Sequence, residues 1–231
     1  MNEHKDSSLH IDDVPEDEKQ ALQDFHQSLR RILAVHGLVN PGIEALQALT
    51  ARLNTIAGEL EEMPRGRPFL RFSGRMPEED PNATIPFSPV TGRYSAMALP
   101  LELHTEGSVL VGTGVYNEAY EGPNQCVHGG FVAQIYDQVL AQANVLHRTG
   151  GPTATLTVHY KKPTPLHVPL RFEAWTEEID GRKITTKGRC LVDGEVVTEA
   201  EGLFIRLDPK RSYPQWSNKA QSYPASGTAE E

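Results

Sequence analysis

A long apolar helix is the feature of this sequence that most restricts its fold. Residues 130–146 read GFVAQIYDQVLAQANVL, a stretch without Pro that is rich in good helix formers. The stretch is too apolar for an ordinary surface helix, so the fold has to enclose it. Asp137 is its only ionised side chain, and burying a lone carboxylate is costly unless a partner compensates it. The sequence therefore predicts an enclosed central helix that carries one buried carboxylate.

The residues at the start of this helix are suited to binding a carbonyl oxygen. His128, Gly129 and Gly130 stand where the first free N–H groups lie, at the positive end of the helix dipole. Two glycines allow another molecule to approach those groups closely. Acyl-transfer chemistry requires such a donor to an oxyanion, and one donor contributes roughly 3–4 kcal/mol in known hydrolases. Two simpler interpretations stay open: the glycines form only a turn, and His128 is a structural hydrogen-bonding group.

The spacing between the helix start and Asp137 argues against a site within one chain. Gly129 and Asp137 are eight residues apart, which is about 12 Å along a helix. One small carbonyl group cannot contact both ends of that span. In a twofold dimer with antiparallel helices, the start of one helix lies beside the middle of the other. The spacing therefore predicts an obligate dimer with two composite sites.

Asp137 has two possible chemical roles in such a site. It could activate water as a general base, since a carboxylate in an apolar site becomes a better base. It could instead attack the acyl carbon directly and form an anhydride. A third possibility is that Asp137 has no chemical role. It borders a polar stripe formed by Gln134, Gln138 and Gln142 and would then lie at the edge of a solvated face.

Composition excludes several other classes of protein. The net charge of −9 argues against nucleic acid or an anionic membrane as the main partner, and no apolar run approaches a membrane span. The first twenty residues lack the apolar region of a signal peptide, and Cys126 and Cys190 are the only cysteines. We therefore expect a cytoplasmic protein without a disulfide framework. No histidine has metal-ligand spacing to a Cys or acidic cluster, so no metal site is expected.

The chain divides into four predicted regions. Residues 1–62 form an acidic tail followed by two amphipathic helices, in which Pro15 and Pro41 mark the first turns and Gly37 ends the first helix. Their apolar stripes predict an antiparallel helical hairpin that covers a sheet or a dimer surface. Residues 63–87 form a connecting loop, 88–209 a folded domain, and 210–231 a flexible tail.

Strand patterns surround the central helix. Strands are predicted over residues 99–104 and 108–116 before it, and over 153–160, 168–179, 183–192 and 195–206 after it. Asp180-Gly181 and Asp193-Gly194 predict hairpin turns. The last four strands are predicted to form a meander. An antiparallel sheet wrapped around one helix is the simplest enclosure, so the predicted fold class is α+β.

Several motifs together resemble those of the hotdog-fold acyl-CoA thioesterases, in particular the PaaI-like and thioesterase-superfamily-member branch. The family's His-Gly-Gly followed by Asp is matched by His128 and Asp137, nine residues apart. The segment Tyr160-Lys161-Lys162-Pro163-Thr164-Pro165-Leu166 is similar to the strand motif after the family's central helix. Residues 199–206, EAEGLFIR, are similar to its last strand. The resemblance covers about residues 88–209.

The resemblance implies a role for each matching position. Gly129 would supply the oxyanion N–H with His128 beside it, and Gly130 would allow close approach of the substrate. Asp137 would be the base or nucleophile, and Thr153 falls where the family places a Ser or Thr that helps to orient water. Some relatives carry an Asn six residues before the motif His, where this chain has Gly122.

The implied substrate is an acyl-CoA thioester, hydrolysed to free acid and coenzyme A, with no further cofactor. Lys161, Lys162 and Arg182 are candidates to bind the anionic coenzyme A, and strand alternation suggests that only one of the two lysines reaches it. The implied assembly is a homodimer or homotetramer. A hotdog module that binds acyl thioesters without hydrolysing them is the main alternative. A hotdog dehydratase or hydratase would require a different arrangement of Asp and His.

Overall fold

The fold combines a six-stranded sheet, one central helix and two N-terminal helices. The computed structural model describes residues 11–63 and 79–206, so the predicted C-terminal tail and most of the predicted loop 63–87 lie outside the described residues. The elements in chain order are α1 (Glu16–Val35), α2 (Ile43–Glu61), β1 (Glu102–Glu106), β2 (Val109–Val115), α3 (Gly129–Leu146), β3 (Thr153–Tyr160), β4 (Pro169–Asp180), β5 (Lys183–Val192) and β6 (Glu195–Ile205). Short 3-10 turns lie at Ile11–Asp13, His36–Leu38 and Glu118–Tyr120.

The strands form one antiparallel sheet in the order β1-β2-β4-β5-β6-β3. Both predicted hairpins are confirmed. Asp193 and Gly194 have φ values of 49° and 81° and close the β5–β6 turn, where Asp and Gly tolerate positive φ. Gly181, with φ of 56°, takes the strained position of the β4–β5 turn. The predicted bounds of β3 and β5 agree with the structure.

The predicted four-strand meander is wrong in one respect. Strands β4, β5 and β6 are neighbours in sequence and in the sheet, but β3 pairs with β6 rather than with β4. The segment between Tyr160 and Pro169 crosses from one side of the sheet to the other. As a result, β3 is an edge strand, and most of its residues are exposed. The edge position of β3 leaves the residues of the candidate site beside this strand open to solvent.

Helix α3 lies across one face of the sheet and fills the core. Its apolar buried residues belong to the core cluster shared with the strands, and its buried residues are Val132, Ile135, Tyr136, Val139, Leu140, Gln142, Ala143 and Asn144. The hydroxyl of Tyr136 lies 3.0 Å from the carbonyl oxygen of Thr198, to which it donates. The enclosed helix and the α+β class are therefore confirmed.

The segment before β1 covers the polar stripe of α3. Ser88 donates to Oε1 of Gln138 at 2.7 Å, and Nε2 of Gln142 donates to the carbonyl of Pro81 at 2.9 Å. Gln142 is only 1% exposed. Gln138 and Gln142 are thus hydrogen-bonded to protein groups, and the interpretation of a solvated face does not hold for Gln142.

The two N-terminal helices are present, but they do not pack as a tight hairpin. Helix α1 starts at Glu16 after a Pro15 cap, and its Arg30 donates to the carbonyls of Arg93 and Ser95 at 3.2 and 2.7 Å. Helix α2 starts two residues later than Pro41 and buries no residue among the described parts of the chain. Only α1 is therefore fixed to the body of the fold, while the apolar face of α2 stays open.

Candidate active site

The start of α3 is capped by the side chain of His128. Its Nδ1 accepts a hydrogen bond from the Gly130 N–H at 2.9 Å, so the neutral ring carries its proton on Nε2. The His128 N–H donates to the carbonyl of Tyr120 at 2.8 Å, and the Phe131 N–H donates to the carbonyl of His128 at 2.9 Å. These contacts fix the first turn and the orientation of the imidazole.

One amide at this helix start keeps its donor free. Among the described residues, the Gly129 N–H has no hydrogen-bond acceptor, whereas the N–H groups of His128, Gly130 and Phe131 are all occupied. The predicted site amides therefore differ in whether their N–H group is available to a substrate oxygen. Gly129 can donate to an incoming oxygen at the positive end of the helix. Gly130 can offer close approach, but its N–H is already bonded to His128.

The structure corrects the expectation that Asp137 is buried. The residue is exposed in the single chain, because it lies beside β3, the edge strand of the sheet. Its Oδ1 accepts a hydrogen bond from Oγ1 of Thr153 at 2.7 Å. The two residues that the family resemblance singled out on different elements are thus in direct contact, and the second carboxylate oxygen is left for another partner.

A β-bulge allows Thr153 to reach the helix. Leu156 and Val158 pack towards the core and Tyr160 bonds to α3, so the even-numbered residues of β3 lie on its helix side. Regular alternation would place Thr153 on the outer side of the sheet. The pairing with β6 shifts register between Thr153 and Thr155, so the pattern changes there. Bulges of this kind commonly re-aim side chains next to functional sites.

Tyr160 is a site residue that the motif analysis did not single out. Its hydroxyl donates to the carbonyl of Gly129 at 2.7 Å, and partial burial raises its pKa, which keeps this donor protonated. A Cβ atom at Gly129 would lie 3.3 Å from the Tyr160 ring. Its place at the start of the Tyr-Lys-Lys-Pro motif, on the same face as Leu156 and Val158, is the signal that could have identified it.

Gly122 is held against His128. A Cβ atom at position 122 would lie 2.7 Å from the Cα atom of His128 and 3.0 Å from its Cβ atom. The backbone therefore leaves no room for a side chain here. This close contact is the physical reason why this chain needs Gly at the position where some relatives carry Asn.

The two ends of β3 hold the two parts of the site at different points of α3. Thr153, at the start of β3, contacts Asp137 in the middle of α3, and Tyr160, at the end of β3, contacts Gly129 at the helix start. The strand and the helix therefore run in opposite directions. Gly129 and Asp137 are eight positions apart in regular helix, which is about 12 Å.

The predicted basic residues do not form one patch in the single chain. Lys161 and Lys162 follow the end of β3 and both donate their N–H groups to the carbonyl of Val197, so strand alternation does not apply to them. Lys161 pairs with Glu199 at 2.6 Å, and Lys162 pairs with Glu195. Arg182 lies in the β4–β5 turn, at the opposite end of the sheet, where its Nε donates to the carbonyl of Arg206.

A small apolar cavity of about 210 Å³ opens beside the first turn of α3. Phe131 and Tyr120 line it and contact each other with ring centroids 5.2 Å apart. Leu33 of α1 and Leu99 also line it. The His128 and Phe131 rings are 6.2 Å apart, so the cavity lies close to the helix start. Helix α1 thereby contributes to a space next to the candidate site.

The described part of the chain contains neither a cluster of metal-ligating side chains nor a membrane-spanning helix. No group of three or more His, Cys, Asp and Glu side chains there could hold a metal ion. No helix over residues 11–63 and 79–206 has both the length and the apolar character needed to cross a membrane.

Known proteins share both the fold and part of the sequence. No family model matches the chain. Over 93 residues, it is 39% identical to the acyl-coenzyme A thioesterase THEM4 of Xenopus laevis, covering 38% of this chain and 41% of that protein. The Bos taurus protein of the same name is 32% identical over 96 residues, covering 40% of this chain and 38% of that protein. The chain thus spans about two fifths of the length of these curated relatives.

A solved structure matches over a much larger share of the chain. It is a crystal structure of a thioesterase superfamily protein, 33% identical, with a TM-score of 0.69, and the match covers 80% of this chain and 94% of that one. Residues 64–231 make up less than three quarters of this chain, so the match extends into the N-terminal region. The chain therefore belongs to the hotdog-fold thioesterase superfamily.

Proposed function

We propose that this chain hydrolyses acyl-CoA thioesters to a free acid and coenzyme A. The relatives named acyl-coenzyme A thioesterase support this substrate class. The observation that carries the proposal is the arrangement around β3, which presents a free Gly129 N–H near one end and a Thr153–Asp137 pair at the other. Such an arrangement supplies an oxyanion donor and a positioned carboxylate, which are the two groups that thioester hydrolysis requires.

The active site is completed by a second copy of the chain. Strand β3 is an exposed edge of eight residues without Pro or Lys, and such an edge favours pairing with another strand. Antiparallel pairing of β3 with β3 of a second copy would bring the Thr153 end of one strand opposite the Tyr160 end of the other. Asp137 of one copy then lies near Gly129 of the other, which resolves the separation of about 12 Å along α3.

The reaction follows from the groups in this composite site. The thioester carbonyl oxygen accepts the Gly129 N–H and is polarised at the helix start. Thr153 holds one oxygen of Asp137, and the other takes a proton from water as the water oxygen adds to the carbonyl carbon. The C–S bond then breaks, the electron pair leaves with sulfur, and Asp137 returns its proton to the thiolate. His128 and Tyr160 are positioning residues that fix the helix start.

The same arrangement provides places for the two ends of the substrate. The apolar cavity lined by Leu33, Leu99, Tyr120 and Phe131 would take the acyl group, since it adjoins the first turn of α3. In the paired arrangement, Lys161 and Lys162 of one copy approach the same end of the joined sheets as Arg182 of the other. This would gather basic side chains at one end of each site, as an anionic coenzyme A requires.

A panel of acyl-CoA substrates with detection of the released thiol tests the proposed function. We expect the native protein to release coenzyme A from at least one chain-length class and the Asp137→Asn variant to release it at least a hundredfold more slowly. Calorimetric binding of acyl-CoA without any thiol release by the native protein would contradict hydrolysis and would support the non-catalytic binding module instead. Equal rates for the two proteins would contradict the role of Asp137.

A further inference from the structure

Helix α2 presents an apolar stripe that no described element covers. Its members are spaced by three, four, three and four residues and are between 41% and 49% exposed, namely Leu46, Leu49, Leu53, Ile56 and Leu60. This narrow spacing is typical of the contact line of a two-helix coiled coil, with residues at heptad positions a and d. In proteins, most of the stability of a helix comes from packing of its apolar face, so this stripe on the 19-residue helix favours a partner.

We propose that α2 pairs in antiparallel orientation with α2 of a second copy of this chain. In an antiparallel pair, each a residue lies opposite a d residue of the other helix. Leu53 of one copy then faces Ile56 of the other, and Leu49 faces Leu60. The contact is self-complementary about a twofold axis, as required of an interface between identical chains.

The charges beside the stripe select one register. Arg52 and Glu59 both occupy heptad position g, and g residues face each other across an antiparallel pair. When Leu53 faces Ile56, Arg52 of each copy lies beside Glu59 of the other, which gives two opposite-charge pairs. Sliding the partner by one heptad in one direction brings Arg52 against Arg52, and sliding it in the other direction brings Glu59 against Glu59. Only the central register is attractive.

The same charges disfavour parallel pairing. In a parallel pair, a g residue faces the e residue five positions further along the other helix. Arg52 would then lie beside Ala57 and would have no ionic partner there. The antiparallel arrangement instead satisfies Arg52 and Glu59 together, and it leaves Thr50 beside Ala57 at the other edge without a charge conflict.

This contact is separate from the pairing of β3. The α2 stripe and the β3 edge lie on different elements, and none of the α2 residues belongs to the proposed active site. The α2 pair therefore provides a second surface for contact between copies. Its existence does not depend on whether the chain hydrolyses thioesters, so the two proposals can fail separately.

Electron spin distance measurements test the orientation of α2 in the full chain. Nitroxides are placed singly at Asn54→Cys or Gln47→Cys, which occupy the same heptad position, in a Cys126→Ser background in which Cys190 stays buried. In the proposed register, the two 54 positions lie at nearly the same height, whereas the two 47 positions are displaced by 15 residues, or about 22 Å. We expect the distance from position 47 to be longer by on the order of 10 Å. Equal distances, or no coupling between copies, would overturn the proposal.

Charge reversal tests the register in the same labelled proteins. Arg52→Glu places Glu beside Glu59 in both pairs, and we expect it to weaken the coupling at position 54, raising the protein concentration needed for pairing on the order of tenfold. The combined Arg52→Glu and Glu59→Arg variant restores opposite charges and should recover the native distance. Circular dichroism checks that each variant remains folded. The assigned register would be overturned if the coupling at position 54 were unchanged by Arg52→Glu, or if the double variant did not recover it.

Discussion

Oγ1 of Thr153 donates a 2.7 Å hydrogen bond to Oδ1 of Asp137, across the gap between an edge strand and the central helix. The contact exists because a bulge in the β3–β6 pairing turns Thr153 towards the helix. This hydrogen bond holds Oδ1 in place and thereby fixes the orientation of the whole carboxylate. In the proposed reaction, the position of Oδ2 then determines where the activated water molecule binds.

Removing the Thr153 hydroxyl should impair turnover rather than folding. Thr153→Val keeps the branched shape that suits the strand but cannot donate to Asp137. A hydrogen bond to a charged group contributes about 1.5–3 kcal/mol, so we expect kcat to fall by roughly tenfold or more. Steady-state kinetics with a fixed acyl-CoA would show this, while Thr153→Ser, which retains the hydroxyl, should keep most of the activity. Native kcat in the valine variant would refute the positioning role.

The Gly129 amide can be removed with little change to the helix. Pro is favoured at a first helical position, and His128 has ψ of 131°, which a residue before Pro readily adopts. Gly129→Pro should therefore delete the donor and lower kcat by about 10²–10³-fold. Gly129→Ala is the matched control, since it places a similar Cβ atom near the Tyr160 ring but keeps the N–H. Comparable kcat values for the two variants would argue against the amide as the oxyanion donor.

A side chain at position 122 should disturb the helix start. Because a Cβ atom there would lie 2.7 Å from the Cα atom of His128, Gly122→Ala forces the backbone apart. We expect a cost of about 1–3 kcal/mol in the free energy of unfolding together with a reduced kcat. Thermal unfolding and thiol release measure the two effects. Gly122→Asn should not improve catalysis, and a gain in rate would show that the backbone yields more easily than the contact indicates.

The stability of the sheet should depend on Glu173 at acid pH. Burial raises the pKa of Glu173, but hydrogen bonds from Arg171 and Arg189 at 2.8 and 2.6 Å outweigh it, so the pKa lies below its ordinary value of 4.5. The ionised form therefore stabilises the fold above that value, and this contribution is lost as the pH falls through the lower folded pKa. Glu173→Gln should be less stable than the native protein near pH 7, with the gap closing towards pH 3. A gap in melting temperature that stays constant with pH would contradict this linkage.

The sequence predicted the parts of the fold that depend on local patterns. Apolar periodicity located α3, alternation located β3 and β5, and Asp-Gly pairs located both hairpin turns. Order within the sheet could not be obtained this way, because the long connection after Tyr160 is compatible with pairing on either side. The placement of β3 at the edge is a property of tertiary packing, and it explains why Asp137 is exposed in one chain rather than buried.

Only part of the candidate site could be predicted from the sequence, because the rest depends on how β3 packs against α3. Residues of one helix, such as Gly129 and Asp137, have a separation that follows from helix geometry alone. Thr153 entered through family resemblance, and alternation would have turned it away from the helix, since a bulge is not visible in an isolated strand pattern. Tyr160 was missed because its contact with Gly129 requires knowledge of how β3 runs along α3.

Mixing two inactive variants tests the composite site most directly. Asp137→Asn and Gly129→Pro each damage both sites of their own dimer. A mixed dimer would contain one intact site, built from Asp137 of one chain and Gly129 of the other. After dissociation and random reassociation in equal amounts, half of the dimers are mixed, so we predict about one quarter of the native thiol-release rate. A mixture that remains as inactive as the separate variants, with mixed dimers verified by mass spectrometry, would contradict a site shared between two chains.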